Sequence, residues 1–197
     1  MFGFVHNVEQ TMILKRAFSA AAATILLDQM IKILVKTNMF LGESSFKDWN
    51  CGVSQLQLIF VEDPPMPLWL IIFRFLAIGG IIYYIIWSVR NKKPHKGFIT
   101  CLSMIVAGII SNMIDVMFYG VLFSASGNTA DAVAKFLPET GGYSSFMNGY
   151  VVDMLHISPL SKVYNIADLA IFLGIALIVI FGKRYFPKKE KATENAN

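Results

Sequence analysis

The sequence predicts an all-α transmembrane protein: a four-helix membrane bundle, both termini inside, with a small extracytoplasmic β-cradle and a lid-like insertion. Three observations carry this. Of the 197 residues, 55% are hydrophobic and only 15% charged, against about 45–50% and about 25% in an average soluble domain. Mean hydropathy is +0.57. Four long apolar blocks stand near 17–35, 67–89, 98–119 and 166–182. This composition excludes a disordered chain and an ordinary cytosolic enzyme, and two cysteines make no disulfide framework. The net charge of +4 resides between the apolar blocks rather than on one face, which argues against nucleic acid as a partner.

A bilayer core about 30 Å thick takes about 17–25 apolar residues in a helix, and only helices satisfy the backbone there. The first three blocks fit that length and the fourth is near its lower limit. The first block is long and lacks a small-x-small exit before Lys36, so it reads as a span and not a cleaved signal peptide. In the 36–66 connection, Val53 to Phe60 alternates as a strand does and ends at Pro64-Pro65. Gly79-Gly80 in the second block is expected to permit close helix packing. The 120–164 connection, with Gly141-Gly142 and many Ser, is long enough for a folded lid. Lys15 and Arg16, then Arg90, Lys92, Lys93 and Lys96, then Lys183, Arg184, Lys188, Lys189 and Lys191 fall on one side. The positive-inside rule makes that side cytoplasmic and 183–197 a cytoplasmic tail. Cys51 and Cys101 then lie on opposite sides, and no intrachain disulfide is expected.

Charges inside spans are costly and mark functional candidates. They are Asp28 and Lys32 in the first span, Arg74 in the second, Asp115 in the third and Asp168 in the fourth. At 1.5 Å per residue, Asp115 lies about 26 Å above the inner face and Asp168 about 22 Å. Two carboxylates facing each other at low dielectric share a proton. One can then deprotonate a water while the other protonates the scissile carbonyl oxygen or the leaving amine. Asn112 and Asn165 each precede their aspartate by one turn, placed to orient it or a substrate backbone. Spacing leaves three readings open: a catalytic pair, structural hydrogen bonding between helices, and an ion or proton path. Asp28 and Lys32 read as an i, i+4 ion pair. Arg74, near Asp28 in depth, is expected to contact it structurally, with substrate binding the alternative.

Other chemistries find little support. Ser44-Ser45-Phe46-Lys47 matches Ser-x-x-Lys without its companion motifs, and Pro159 breaks a helical pairing of Ser158 with Lys162. His6, His95 and His156 fall on different sides, so no metal is expected. Neither a phosphate-binding glycine loop nor an inverted repeat is present.

Asp28-Gln29-x-x-Lys32, Ser111-Asn112-Met113-Ile114-Asp115 and Tyr164-Asn165-Ile166-Ala167-Asp168, with Val151-Val152-Asp153 between the last two, resemble lipoprotein signal peptidase. This is the type II signal peptidase, an intramembrane aspartyl protease. The resemblance covers nearly the whole chain, and the long outer insertion is similar to that of Bacteroidota-type members. It implies that Asp115 and Asp168 are the catalytic dyad, with Asn112, Asn165, Asp28 and Lys32 in support. It further implies diacylglyceryl-prolipoprotein substrates cut before the lipidated Cys, membrane lipids as surroundings, globomycin-like peptide inhibitors, no cofactor, and a monomer. The place implied is the bacterial inner membrane, multi-pass, with the site at the extracytoplasmic face. Two positions depart from the family pattern. Glu62-Asp63-Pro64-Pro65-Met66-Pro67 stands where an Asn-x-Gly-x-x-Phe-like stretch usually holds substrate backbone, and Ser111 replaces a Gly. Two rival readings follow: a lipoprotein-binding homologue with weakened catalysis, and a small proton- or ion-coupled transporter using Asp28, Lys32 and Arg74.

Overall fold

The computed structural model describes residues 2–44, 49–51, 54–92, 94–158 and 160–186, with side chains from residue 8 onward except at 49–51 and 54–56. The expectations for Ser45 to Lys47, Val53, Pro159, the Cys51 and His6 side chains and the tail beyond Phe186 lie outside these residues. Helix α1 (Phe2–Asn38) is followed by strands β1 (Trp49–Cys51) and β2 (Ser54–Asp63), then α2 (Leu68–Asn91) and α3 (Lys96–Ile114). A π-helical turn (Asp115–Tyr119) and a short helix α4 (Gly120–Leu122) extend α3. Strands β3 (Val151–Ile157) and β4 (Val163–Tyr164) lead into α5 (Ile166–Ile180) and a terminal turn α6 (Gly182–Tyr185).

Among the described residues, three helical stretches are long and apolar enough to cross a membrane: Val8–Asn38, Leu68–Asn91 and Lys96–Leu122. The fourth apolar helix, Ile166–Ile180, is shorter, because Asn165 caps its start and Gly182 opens a new turn. Local chemistry sets the other boundaries. Pro64-Pro65 cannot continue the β2 ladder, and extended Pro67 opens α2. His95 caps α3 through Nδ1, which accepts from the Gly97 amide.

α3 is the central helix, packed against α1 and α5. Without water competing, membrane helices gain by approaching closely over small residues. That residue is Gly108: a Cβ there would sit 2.4 Å from the Ala167 carbonyl oxygen of α5. The expected role of Gly79-Gly80 is not found, since nothing lies within 4 Å of a Cβ at either position. They sit on the outer side of α2, whose Leu68, Trp69, Ile72, Phe73 and Leu76 are exposed as lipid-facing side chains are.

The strands of the two connections join in one antiparallel sheet ordered β1-β2-β3-β4. It packs over one end of the bundle, the sheet end, through Phe60, Val152 and Met154 against Val35, Met39, Tyr119 and Phe123. The register between β2 and β3 shifts between Leu58 and Val61, just before Val61 pairs with Asp153. Such irregularities re-aim the side chains beside them.

Candidate active site

The sheet end gathers Asp28, Gln29, Lys32, Ser111, Asn112, Asp115, Asp153, Asn165 and Asp168 into one connected network. It starts on α1, where Asp28 and Lys32 form the expected i, i+4 pair at 2.9 Å, both fully buried. Lys32 reaches further. Its Nζ lies 2.7 Å from Asp115 Oδ2 and donates to Asn112 Oδ1, also at 2.7 Å. The second oxygen of Asp28 accepts from the Ala167 amide at the start of α5, and Ser111 Oγ donates to the first. Asp28 therefore ties three helices together.

Asp115 is fully buried, and both of its side-chain oxygens are engaged by protein donors. Its Oδ1 accepts from Gln29 Nε2 at 2.8 Å, and its Oδ2 accepts from Lys32 and from the Val152 amide of β3. Tyr119 OH holds Gln29 in turn. The π-helical turn starting at Asp115 leaves carbonyls without helical partners. Val116 and Met117 use theirs to accept from Gly149 and Met147 of the second connection. Only glycine fits at 149, where a Cβ would come within 2.2 Å of the Asp115 carbonyl oxygen.

The expected face-to-face contact of Asp115 with Asp168 is not what the structure places there. Among the described residues no hydrogen bond joins them; Asn112 stands between, donating Nδ2 to Asp168 Oδ1 at 2.9 Å. Depth along a helix fixes height and not azimuth, and Asp115 points toward α1 while Asp168 meets Asn112. Asn112 thus serves the carboxylate of the other helix. Asn165 does cap its own neighbour, accepting from the Asp168 amide.

The acid that shares Asp168's surroundings is Asp153. Asn165 Nδ2 donates to Asp153 Oδ1 at 2.6 Å while Asn165 Oδ1 holds the Asp168 backbone. Asp153 is 2% exposed. Burial pushes its carboxyl up to about 7, and the Asp168 and Asp63 carboxylates push the same way, against the pull of Asn165 and Lys32. Asp168, less buried, lines a cleft of about 470 Å³ with Lys162, Tyr164, Leu160, Leu169, Phe172 and Ile175. The strand alternation of β3, with Val152 and Met154 in the core, sends Asp153 to the opposite face.

The Arg74–Asp28 contact is also not formed. The oxygens of Asp28 are taken by Lys32, Ser111 and Ala167, and the carboxylate acting on Arg74 is Asp168. Lys162 is 3.5 Å from Asp63 rather than paired with Ser158. In the departing stretch, Glu62 pairs with Lys36, and Ser126 bonds both. Lys36 is buried and also faces the Tyr143 ring at 5.0 Å. Among the described residues no group of three or more His, Cys, Asp or Glu converges as a metal site.

An apolar helical bundle with a cleft at its sheet end that carries a carboxylate is an arrangement that suits a membrane enzyme. Two solved structures described as bacterial membrane enzymes, obtained by the in meso method, share the fold. One, at 2.3 Å, has a TM-score of 0.58 and 18% identity over 89% of this chain and 94% of that one. The other, at 1.9 Å, has a TM-score of 0.55 and 19% identity over 83% and 90%. The signal peptidase (SPase) II family model matches residues 20–183, and the chain belongs to that family. Curated relatives are lipoprotein signal peptidases. That of Porphyromonas gingivalis is 36% identical over 184 residues, 79% of this chain and 77% of the relative. That of Chlorobium phaeobacteroides is 28% identical over 182 residues, 87% and 98%.

Proposed function

We propose that this chain is an intramembrane aspartic endopeptidase that removes signal peptides from diacylglyceryl-modified prolipoproteins, with Asp153 and Asp168 as its working pair. The observation that carries the reading is a half-buried carboxylate, Asp168, lining a mostly apolar cleft beside a buried second carboxyl that favours its proton near neutral pH. In this reading Asp168 takes a proton from the attacking water as its oxygen bonds to the scissile carbonyl carbon. Asp153 gives its proton to the carbonyl oxygen. The C–N bond then breaks as Asp168 passes its proton to the leaving amine, and Asp153 recovers one from the diol. Asn165 keeps the two acids in register, and Asn112 orients Asp168.

Asp115 takes a positioning role instead of the catalytic one: neutralised by Lys32, it holds the Val152 amide next to Asp153. Asp28 and Lys32 act through it. The apolar cleft wall suits acyl chains entering from the bilayer. The reading further places four spans in the bacterial inner membrane, both termini in the cytoplasm and the sheet end outside, with globomycin-like peptides as inhibitors and a monomeric chain. Asp28, Lys32 and Asp115 close on one another at one end of the bundle rather than forming a relay across it, which speaks against the transporter.

The test is cleavage of a diacylglyceryl-prolipoprotein by the purified protein in detergent. Release of the signal peptide by the parent, and none by D153N or D168N, is expected. Folded parent that binds the substrate without cutting it makes the chain a binding homologue.

A further inference from the structure

Arg74 is the one charged residue of α2 before its final turn, and the exposed side chains beside it, Phe73, Phe75 and Leu76, are apolar. Its Nη1 is buried and makes no hydrogen bond, and among the described residues no ion pair holds the guanidinium. A buried donor of this kind is expensive to leave unmet. The carboxylate whose charge acts on it is Asp168, whose Oδ1 nonetheless accepts its hydrogen bond from Asn112. An acceptor arriving between Arg74 and Asp168 would satisfy the orphan atom.

The direction of approach identifies that acceptor. Arg74 lies about 9 Å along α2 from Leu68, while Asp168 lies only about 3 Å into α5, both measured from the sheet end at 1.5 Å per residue. Side chains lean toward the N-terminus of their helix, so Arg74 reaches Asp168 from the membrane side. Its neighbours Phe73 and Phe75 are exposed and apolar. In a lipid-modified substrate, the oxygens on the membrane side of the scissile bond are those of the glycerol esters. We propose that Arg74 recognises the lipid, its guanidinium donating to an ester carbonyl oxygen of the diacylglyceryl group. This rests on the signal-peptidase reading above and makes Arg74 a residue that selects lipidated substrate.

The experiment compares two synthetic substrates with the same peptide, one carrying a diacylglyceryl group and one its dialkyl ether, which lacks both carbonyls. A hydrogen bond from a charged donor is worth about ten- to a hundredfold in affinity. The parent is expected to show KM about ten- to a hundredfold higher for the ether at similar kcat. R74M should raise KM for the ester by the same factor and no longer distinguish the two, with R74K in between. Equal KM for both substrates in the parent overturns the proposal without any variant. So does a loss of kcat in R74M that is the same for ester and ether. Cleavage of the ester by the parent and not by D168N decides the signal-peptidase reading separately.

Discussion

Lys32→Met removes the single cation from the middle of the network. Lys32 Nζ lies 2.9 Å from Asp28 Oδ2, 2.7 Å from Asp115 Oδ2 and 2.7 Å from Asn112 Oδ1, and all three charged groups are fully buried. Methionine matches the volume of the stem, so packing is nearly kept while two carboxylates lose their counter-charge. Breaking a buried pair from one side costs about 3–5 kcal/mol. For a chain of this length each kcal/mol moves the melting midpoint by about 2–4 °C, so a fall of roughly 6–20 °C is expected. Thermal melts of parent and variant in the same detergent, followed by tryptophan fluorescence, measure it. Adding Asp28→Asn should recover part of the loss, since contacting residues couple by about 0.5–3 kcal/mol. A midpoint within 2 °C of the parent, or a double variant no better than K32M, would refute the reasoning.

The Asp153 carboxyl loses its proton at about 7 in the folded chain, against 3.8 ordinarily, so between these values the folded state holds the extra proton and stability falls as pH rises. D153N, measured by melts at pH 5 and pH 8, should flatten this dependence and raise the midpoint at pH 8, against a cost of about 4 kcal/mol for the full displacement. If Asp153 is the acid, kcat/KM of the parent should decline as pH rises through about 7. A profile flat to pH 9 would remove it from that role. Gly149→Ala, forced against the Asp115 carbonyl oxygen, should push the second connection off the π-helical turn and lower activity at least tenfold, with unchanged helix content by circular dichroism. E62Q should lower the melting midpoint by stripping buried Lys36 of its charge partner, and K36M added to it should restore part of that loss.

The helical bundle was legible in the sequence because lipid leaves the backbone no alternative, and the Asp28–Lys32 pair because helical spacing places i and i+4 on one face. The site was legible as a set of residues and less so as a set of contacts. Helix rise gave the common height of Asp115 and Asp168 but not that Lys32 and Gln29 would claim both oxygens of Asp115. Asp153 was visible in Val151-Val152-Asp153, yet its pairing depends on a sheet built from segments nearly a hundred residues apart. Nothing local encodes that register. Its one local sign was the strand alternation that turns Asp153 away from buried Val152 and Met154. Glu62, a departure from the family pattern, made sense only once Lys36 from α1 was found against it.

The most direct measurement follows cleavage of a diacylglyceryl-prolipoprotein over a range of pH by parent, D153N, D168N and D115N, each shown to be folded. Loss of cleavage in D153N and D168N is expected, with D115N slower but keeping the parent's pH profile. Parental rates in D153N, with D115N inactive while fully folded, would contradict the pairing of Asp153 with Asp168.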